Sequence, residues 1–207
     1  MLEVSGLHLW RGDRHVLKGV SLRLQAGEAL QMLWPNGVGK TSLLRVVAGL
    51  LPAESGSVQW KGQSTTTHSE AFAHDLAYLG HDLALKADLT VAENLRFALG
   101  LRRAWNAGLV RTTLQQLGID PLADRLVRQL SAGQQRRVAL ARLTLWDARL
   151  WLLDEPAANL DATGQAQVVA VIEQHLAVGG CVLLSTHQAL PVQQGINRLW
   201  HLPQETA

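Results

Sequence analysis

Residues 30–44, LQMLWPNGVGKTSLL, decide the fold. Gly39, Lys40 and Thr41 supply the second half of the phosphate-loop pattern G-x-x-x-x-G-K-[ST], and Trp34 stands where that pattern opens on glycine. EALQML (28–33) before the loop reads as a short strand, and GKTSLLRVVAGL (39–50) after it carries helical spacing. Strand, loop, helix is the context in which such a loop binds phosphate. The candidate loop runs Trp34, Pro35, Asn36, Gly37, Val38, Gly39, Lys40, Thr41, Ser42. Backbone N–H groups from Asn36 to Thr41 are expected to cradle phosphate oxygens, aided by the positive end of the helix that begins near Gly39. Lys40 reaches the β- and γ-phosphates, the Thr41 hydroxyl completes a Mg²⁺ shell, and Gly37 and Gly39 permit close backbone approach.

Trp34 is the anomaly. If its position requires positive φ, tryptophan carries strain of about 1–3 kcal/mol. Pro35 argues otherwise, because it biases the preceding residue toward an extended conformation that tryptophan tolerates. The expectation is retained nucleotide binding, with turnover slowed by the bulk of the ring.

Outward from the loop, LEVSGLHL (2–9) and VLKGVSLRL (16–24) alternate as half-buried strands do, and SGSVQWKG (55–62) adds another strand. QSTTTHS (63–69) reads as a loop. Helical periodicity runs from about Glu93 to Gly118 and again through QQRRVALARLTLW (134–146). Strand and helix then alternate: ARLWLLDEP (148–156), ATGQAQVVAVIEQHL (162–176), GCVLLSTH (180–187). Such alternation predicts a parallel sheet that binds ligands at the carboxyl ends of its strands.

Three further motifs follow. LWLLDEP (150–156) closes a buried strand on two carboxylates: Asp154 to hold Mg²⁺ through water, Glu155 as general base for an attacking water. LSAGQQRRVALARL (130–143) places Ser131, Gly133 and Gln134 at a helix start, an anion-binding position and equally an ordinary serine N-cap. LLSTHQ (183–188) ends a strand with His187, where a γ-phosphate would lie. Arg136 and Arg137 read as a solvated helix face.

Composition excludes other classes. The 207 residues, 47% apolar, fit one compact domain with a sizeable core. No apolar run reaches the roughly eighteen residues of a membrane span, and no signal-peptide pattern opens the chain. The single cysteine, Cys181, reads as a core thiol, and a net charge of +2 without a Lys/Arg block argues against nucleic acid. The expected location is cytoplasmic.

In this order the motifs resemble those of the ATP-binding subunits of ABC transporters, over essentially the full chain. WPNGVGKT resembles the Walker A loop, LSAGQ the signature, LLDE the Walker B strand, ANLD (158–161) the D-loop and STH the switch-histidine loop. The resemblance implies an α/β fold: a P-loop NTPase core of the ABC ATPase type with an N-terminal antiparallel β lobe and a helical subdomain. Residues 1–207 then form one domain, with a helical signature lobe at about 88–147. It further implies ATP and Mg²⁺ as ligands, catalysis by Glu155, His187 and Lys40, and a head-to-tail pair of copies. Ser131, Gly133 and Gln134 then face the ATP of the second copy. Two positions depart from the family pattern. His81 stands where the family has a glutamine, and it can order water near the Mg²⁺ held by Thr41 and Asp154 or relay motion to a membrane partner, though not with an amide's geometry. The adenine-stacking aromatic aligns near Arg11, beside Trp10, and either side chain can stack. Gly80-His81, the signature helix and the THQ ending most resemble the ATP-binding subunit of the haem exporter of bacterial cytochrome c biogenesis, the Ccm system. That implies integral membrane partners, a peripheral place on the cytoplasmic side of the inner membrane, haem handled by the partners, and no C-terminal regulatory domain. Two competing readings are a nucleotide-binding scaffold without useful hydrolysis and a soluble ABC-type assembly ATPase.

Overall fold

The computed structural model describes residues 1–100 and 104–200. The chain opens with the strands β1 (Leu2–Arg11), β2 (Arg14–Leu24) and β3 (Glu28–Met32), followed by the helix α1 (Lys40–Val47). Next come β4 (Ser55–Trp60), β5 (Gln63–Ser64), α2 (Ser69–Asp75) and β6 (Leu76–Leu79). Three helices follow, α3 (Val91–Gly100), α4 (Ala107–Gln116) and α5 (Ala132–Leu145). The described chain closes with β7 (Leu150–Asp154), α6 (Ala162–Ala177), β8 (Cys181–Ser185) and β9 (Ile196–Trp200).

Two sheets result. The antiparallel one has the order β2-β1-β4-β5, and the parallel one β6-β7-β8-β3-β9. In β1 the buried positions are Leu2 and Val4, then Leu7 and Leu9, so the two-residue period slips once. The slip is a bulge at Gly6, whose φ of 57° suits glycine. In β3, β7 and β8 every residue is buried, as in a covered parallel sheet, and the buried Gln31 of β3 is bonded to Leu190 and Asn197. Alternate residues serve opposite faces. Trp151, Leu153, Val182 and Leu184 join a core with α3, α4, α5 and α6, whereas Leu150, Leu152, Cys181 and Leu183 join one with α1 and the antiparallel sheet. The carboxyl ends of β3, β6, β7 and β8 lead into residues 33–39, 80–87, 155–161 and 186–195, so one edge of the parallel sheet gathers the motifs.

The structure differs from the sequence reading in places. QSTTTHS is not wholly loop: Gln63 and Ser64 pair with β4, and Ser69 begins α2. The helical stretch 93–118 is two helices, with the Asn106 side chain capping α4 by accepting from Leu109 N at 2.9 Å. Residues 101–103 of that stretch lie outside the described residues. Nor are the paired arginines a solvated face. Arg136 is only 5% exposed, and Arg137 donates to Leu117 O and Gln167 Oε1.

Candidate functional site

The phosphate loop turns at its glycines and not at residue 34. Gly37 and Gly39 have φ of 75° and 109°, whereas Trp34 is absent from the non-glycine residues with positive φ (Lys61, Ala84, Glu155 and Asn159). The feared backbone strain at Trp34 therefore does not arise. Its ring is 2% exposed and meets Trp200 edge-on at 4.7 Å and 76°, so it closes the end of the core beneath the loop. Gly39 has no such latitude: a Cβ there would meet Val16 Cγ1 at 2.7 Å. β2 also grips the loop from outside, where Arg14 Nη2 donates to Gly37 O at 2.7 Å. Pro35, Asn36 and Gly37 are exposed, and Val38, Gly39, Thr41 and Ser42 half-buried.

Lys40 is 6% exposed, and its ammonium donates to Trp34 O at 2.8 Å, 3.9 Å from Glu155 Oε1. A buried cation with so few partners favours an incoming anion, the role that phosphate oxygens fill. Two strands over, at the end of β7, Asp154 is 4% exposed and accepts from Thr41 Oγ1 at 2.7 Å and Ser185 Oγ at 2.5 Å. The Thr41 hydroxyl and the Asp154 carboxylate are hard oxygen donors, suited to a magnesium ion that keeps its remaining positions for phosphate and water. Among the described residues no cluster of three or more His, Cys, Asp or Glu could hold a metal by itself.

Glu155 follows directly. Its φ of 50° lies in the left-handed region, a strain on the order of 1–3 kcal/mol that surrounding bonds must hold. They do: Glu155 N donates to Ser185 O and Ser185 Oγ (3.1 and 3.0 Å), and Glu155 O accepts from Arg136 Nη1 at 2.6 Å. The effect is to aim the carboxylate at the loop, with Oε1 2.8 Å from His187 Nε2. Burial lowers the Arg136 pKa, opposed by the Glu155 and Asp154 carboxylates, and a guanidinium stays cationic regardless.

The remaining candidates are placed as follows. Ser131 caps α5 in a reciprocal box, accepting from Gln134 N at 3.2 Å while Gln134 Oε1 accepts from Ser131 N at 2.9 Å. Gly133 sits against the turn before α6: a Cβ there would lie 2.9 Å from Asn159 O. His81 follows β6, exposed, with no hydrogen bond or ion pair among the described residues, and so is not joined to Thr41 and Asp154. Trp10 lines a cavity of about 580 Å³ beside the loop with His15, Val16, Lys18, Trp34 and Val38; Arg11 does not. Sequence reasoning missed Arg136, Ser185, Arg14 and His15. Only Ser185 had a visible signal, as a lone hydroxyl closing an apolar strand. The other three act through cross-chain geometry.

A lysine–threonine loop, an aspartate bonded to that threonine and a glutamate in contact with a histidine, at one edge of a parallel sheet flanked by an antiparallel one, define a nucleotide-hydrolysing ATPase of the ABC type. Comparison with known proteins agrees. The ABC transporter family profile matches residues 17–158. The cytochrome c biogenesis ATP-binding export protein CcmA of Yersinia pestis is 44% identical over 92% of this chain and 87% of its own length. In fold, a putative ABC transporter ATP-binding protein from Pyrococcus furiosus superposes with TM-score 0.82 at 24% identity, covering 96% of both chains. A bacterial ABC transporter cassette of known dimeric structure gives 0.81 at 23% identity, covering 91% of this chain and 88% of its own. The chain belongs to the ABC transporter ATP-binding family, within its group of cytochrome c biogenesis ATP-binding export proteins.

Proposed function

We propose that this chain is the ATP-hydrolysing subunit of a haem-export complex in cytochrome c maturation, working as a head-to-tail pair on integral membrane subunits. One observation carries the reading: Glu155 Oε1 lies 2.8 Å from His187 Nε2 and 3.9 Å from Lys40 Nζ, beside the Thr41–Asp154 pair. This puts a base, a base-orienting group and a phosphate-binding cation in one place. A scaffold that had abandoned hydrolysis would have no need of a strained glutamate held there.

In this mechanism Lys40 leaves Trp34 O for the β- and γ-phosphates, and the N–H groups of Asn36 to Thr41 hold the rest of the polyphosphate. Thr41 and Asp154 would hold Mg²⁺, which would supply neutralisation of developing phosphate charge. Glu155 takes the proton of the attacking water, and His187 keeps the carboxylate oriented and lies beside the γ-phosphate. Ser131, Gly133 and Gln134 belong to the second copy's nucleotide. The capping box occupies the Ser131 and Gln134 N–H groups and leaves those of Ala132 and Gly133 for an anion, and the close approach of Gly133 to Asn159 O couples the start of α5 to the catalytic strand end.

The membrane partners dock beyond residues 80–87. There a groove of about 400 Å³ is lined by Leu85, Lys86, Leu95, Phe97 and Trp146, with Phe97 53% exposed. Arg142 Nη1 donates to Ala84 O at 3.0 Å, so the groove wall and the segment after His81 move together. His81 then serves as relay more than as metal ligand, and residues 88–147 respond as a helical lobe. Among the described residues no helix is long and apolar enough to cross a membrane. In this reading the chain is peripheral, on the cytoplasmic face of the inner membrane, and haem is handled by the partners. Co-expression with the membrane subunits and co-purification in mild detergent tests this. Recovery of the chain in the complex, lost with Phe97→Asp, is expected; a chain that never joins them overturns the reading in favour of a soluble assembly ATPase.

A further inference from the structure

Three rings stand in a row across the β1–β2 hairpin. Trp10 lies on His15 with centroids 4.2 Å apart and planes within 5°, and His15 lies on His8 at 5.1 Å and 24°. The inner pair is also bonded, His8 Nδ1 to His15 Nε2 at 3.0 Å. Trp10 is outermost and 47% exposed. Trp10 and His15 line the 580 Å³ cavity beside the phosphate loop; His8 does not.

The chemistry of that cavity is set by its walls. Val38 ties it to the phosphate loop, Val16, Leu17 and Val20 make one side apolar, and Asp13, Arg14 and Lys18 supply charge at the hairpin. Its volume falls within the roughly 300–1,000 Å³ of small-molecule sites, and a planar heterocycle tethered to the loop by its phosphates fits a flat indole wall. An indole on a surface hairpin does not hold such a plane unaided. The χ2 torsion of a histidine is broad, so an unanchored His15 ring samples many tilts, most of which abandon the parallel stack. The bond to His8 removes that freedom. His8 is itself held in the sheet, since its carbonyl accepts from Glu54 N at 3.0 Å and its strand neighbour Trp10 N donates to Glu54 Oε2 at 3.1 Å.

We propose that His8, which touches no nucleotide, is a positioning residue that locks the His15 ring and through it the Trp10 face on which the nucleotide base stacks. The proposal rests on the reading of this cavity as the base end of the ATP site. It assigns to a bonded histidine pair the rigidity that a single stacking aromatic lacks.

The test compares MgATP with magnesium tripolyphosphate, which occupies the phosphate loop and has no base. Affinities are measured by calorimetry on the full chain and on His8→Ala and His8→Phe. Phenylalanine keeps a stackable ring and removes only the bond. Both variants are expected to weaken MgATP about 3- to 10-fold, the worth of one hydrogen bond, and to leave tripolyphosphate within about 1.5-fold. The kcat at saturating ATP should be unchanged while KM rises. MgATP affinity of folded His8→Phe equal to that of the parent chain overturns the proposal, as does equal weakening of both ligands, which marks a structural role. If the parent chain itself prefers ATP no more than tripolyphosphate, the cavity is not the base site, and the underlying reading fails independently of His8.

Discussion

Replacing Trp34 by glycine restores the usual phosphate-loop pattern, yet the structure predicts harm. The indole is 2% exposed and packed edge-on against Trp200. A buried tryptophan removes about 150–250 Å² from water, and at about 25 cal/mol per Å² its loss is worth about 4–6 kcal/mol. Truncations of buried Phe or Trp to alanine, about 3–5 kcal/mol, agree. Glycine adds backbone freedom to the unfolded chain, a further loss of roughly 0.4–1 kcal/mol. Trp34 is not in the left-handed region, so glycine relieves no strain; the offset is the indole N–H, buried without a hydrogen-bond partner, whose removal returns about 1–3 kcal/mol. Urea unfolding without nucleotide, followed by far-ultraviolet circular dichroism, should show Trp34→Gly destabilised by about 3–5 kcal/mol, a large fraction of a typical domain's stability. MgATP should bind the folded fraction no more tightly than it binds the parent. A variant within about 1 kcal/mol of the parent, or one that binds ATP tenfold better, would refute the assignment of Trp34 to the core.

Other expectations follow from single contacts. Gly39→Ala should lose MgATP binding, because its φ of 109° and the Val16 methyl at 2.7 Å both reject a Cβ; calorimetry that finds normal affinity contradicts the loop geometry. Burial raises the Cys181 thiol to about 12, so maleimide at pH 8 should label it only after denaturation, as mass spectrometry can read. His175, stacked on Trp151, is held near 4 chiefly by burial. A folded value below the unfolded 6.5 means that the unfolded chain binds the proton first. Stability should thus fall as pH drops from 6.5 toward 4, by up to about 3 kcal/mol, and a His175→Phe variant should show a flatter profile.

Much of this site was legible because its chemistry is local. Gly37, Gly39, Lys40 and Thr41 form one loop, and Asp154 with Glu155 end one apolar strand; residue type and spacing suffice for both. Less legible were contacts made by the fold as a whole. Arg136 is indistinguishable in sequence from Arg137, yet α5 directs it beneath Glu155, where it bonds the carbonyl of a strained residue. β6 passed unnoticed because LAYL is four residues long and lies at a parallel-sheet edge, giving no alternation to read. The choice between Trp10 and Arg11 at the cavity depended on hairpin register, in which Trp10 faces His15 and Arg11 faces Arg14. Trp34 was ambiguous for a related reason. Whether the first loop position needs positive φ is a property of the turn, and here Gly37 and Gly39 make the turn without it.

The proposed function requires that a loop opening on tryptophan serve a working ATPase, with Glu155 as its base. The most direct measurement is phosphate release from MgATP by the parent chain and by Glu155→Gln, at saturating nucleotide and in the presence of the membrane subunits. Steady turnover in the parent and a loss of roughly 10²- to 10⁴-fold in the variant are expected, with MgATP affinity preserved. Absent turnover in the parent, or a variant as active as the parent, would contradict it.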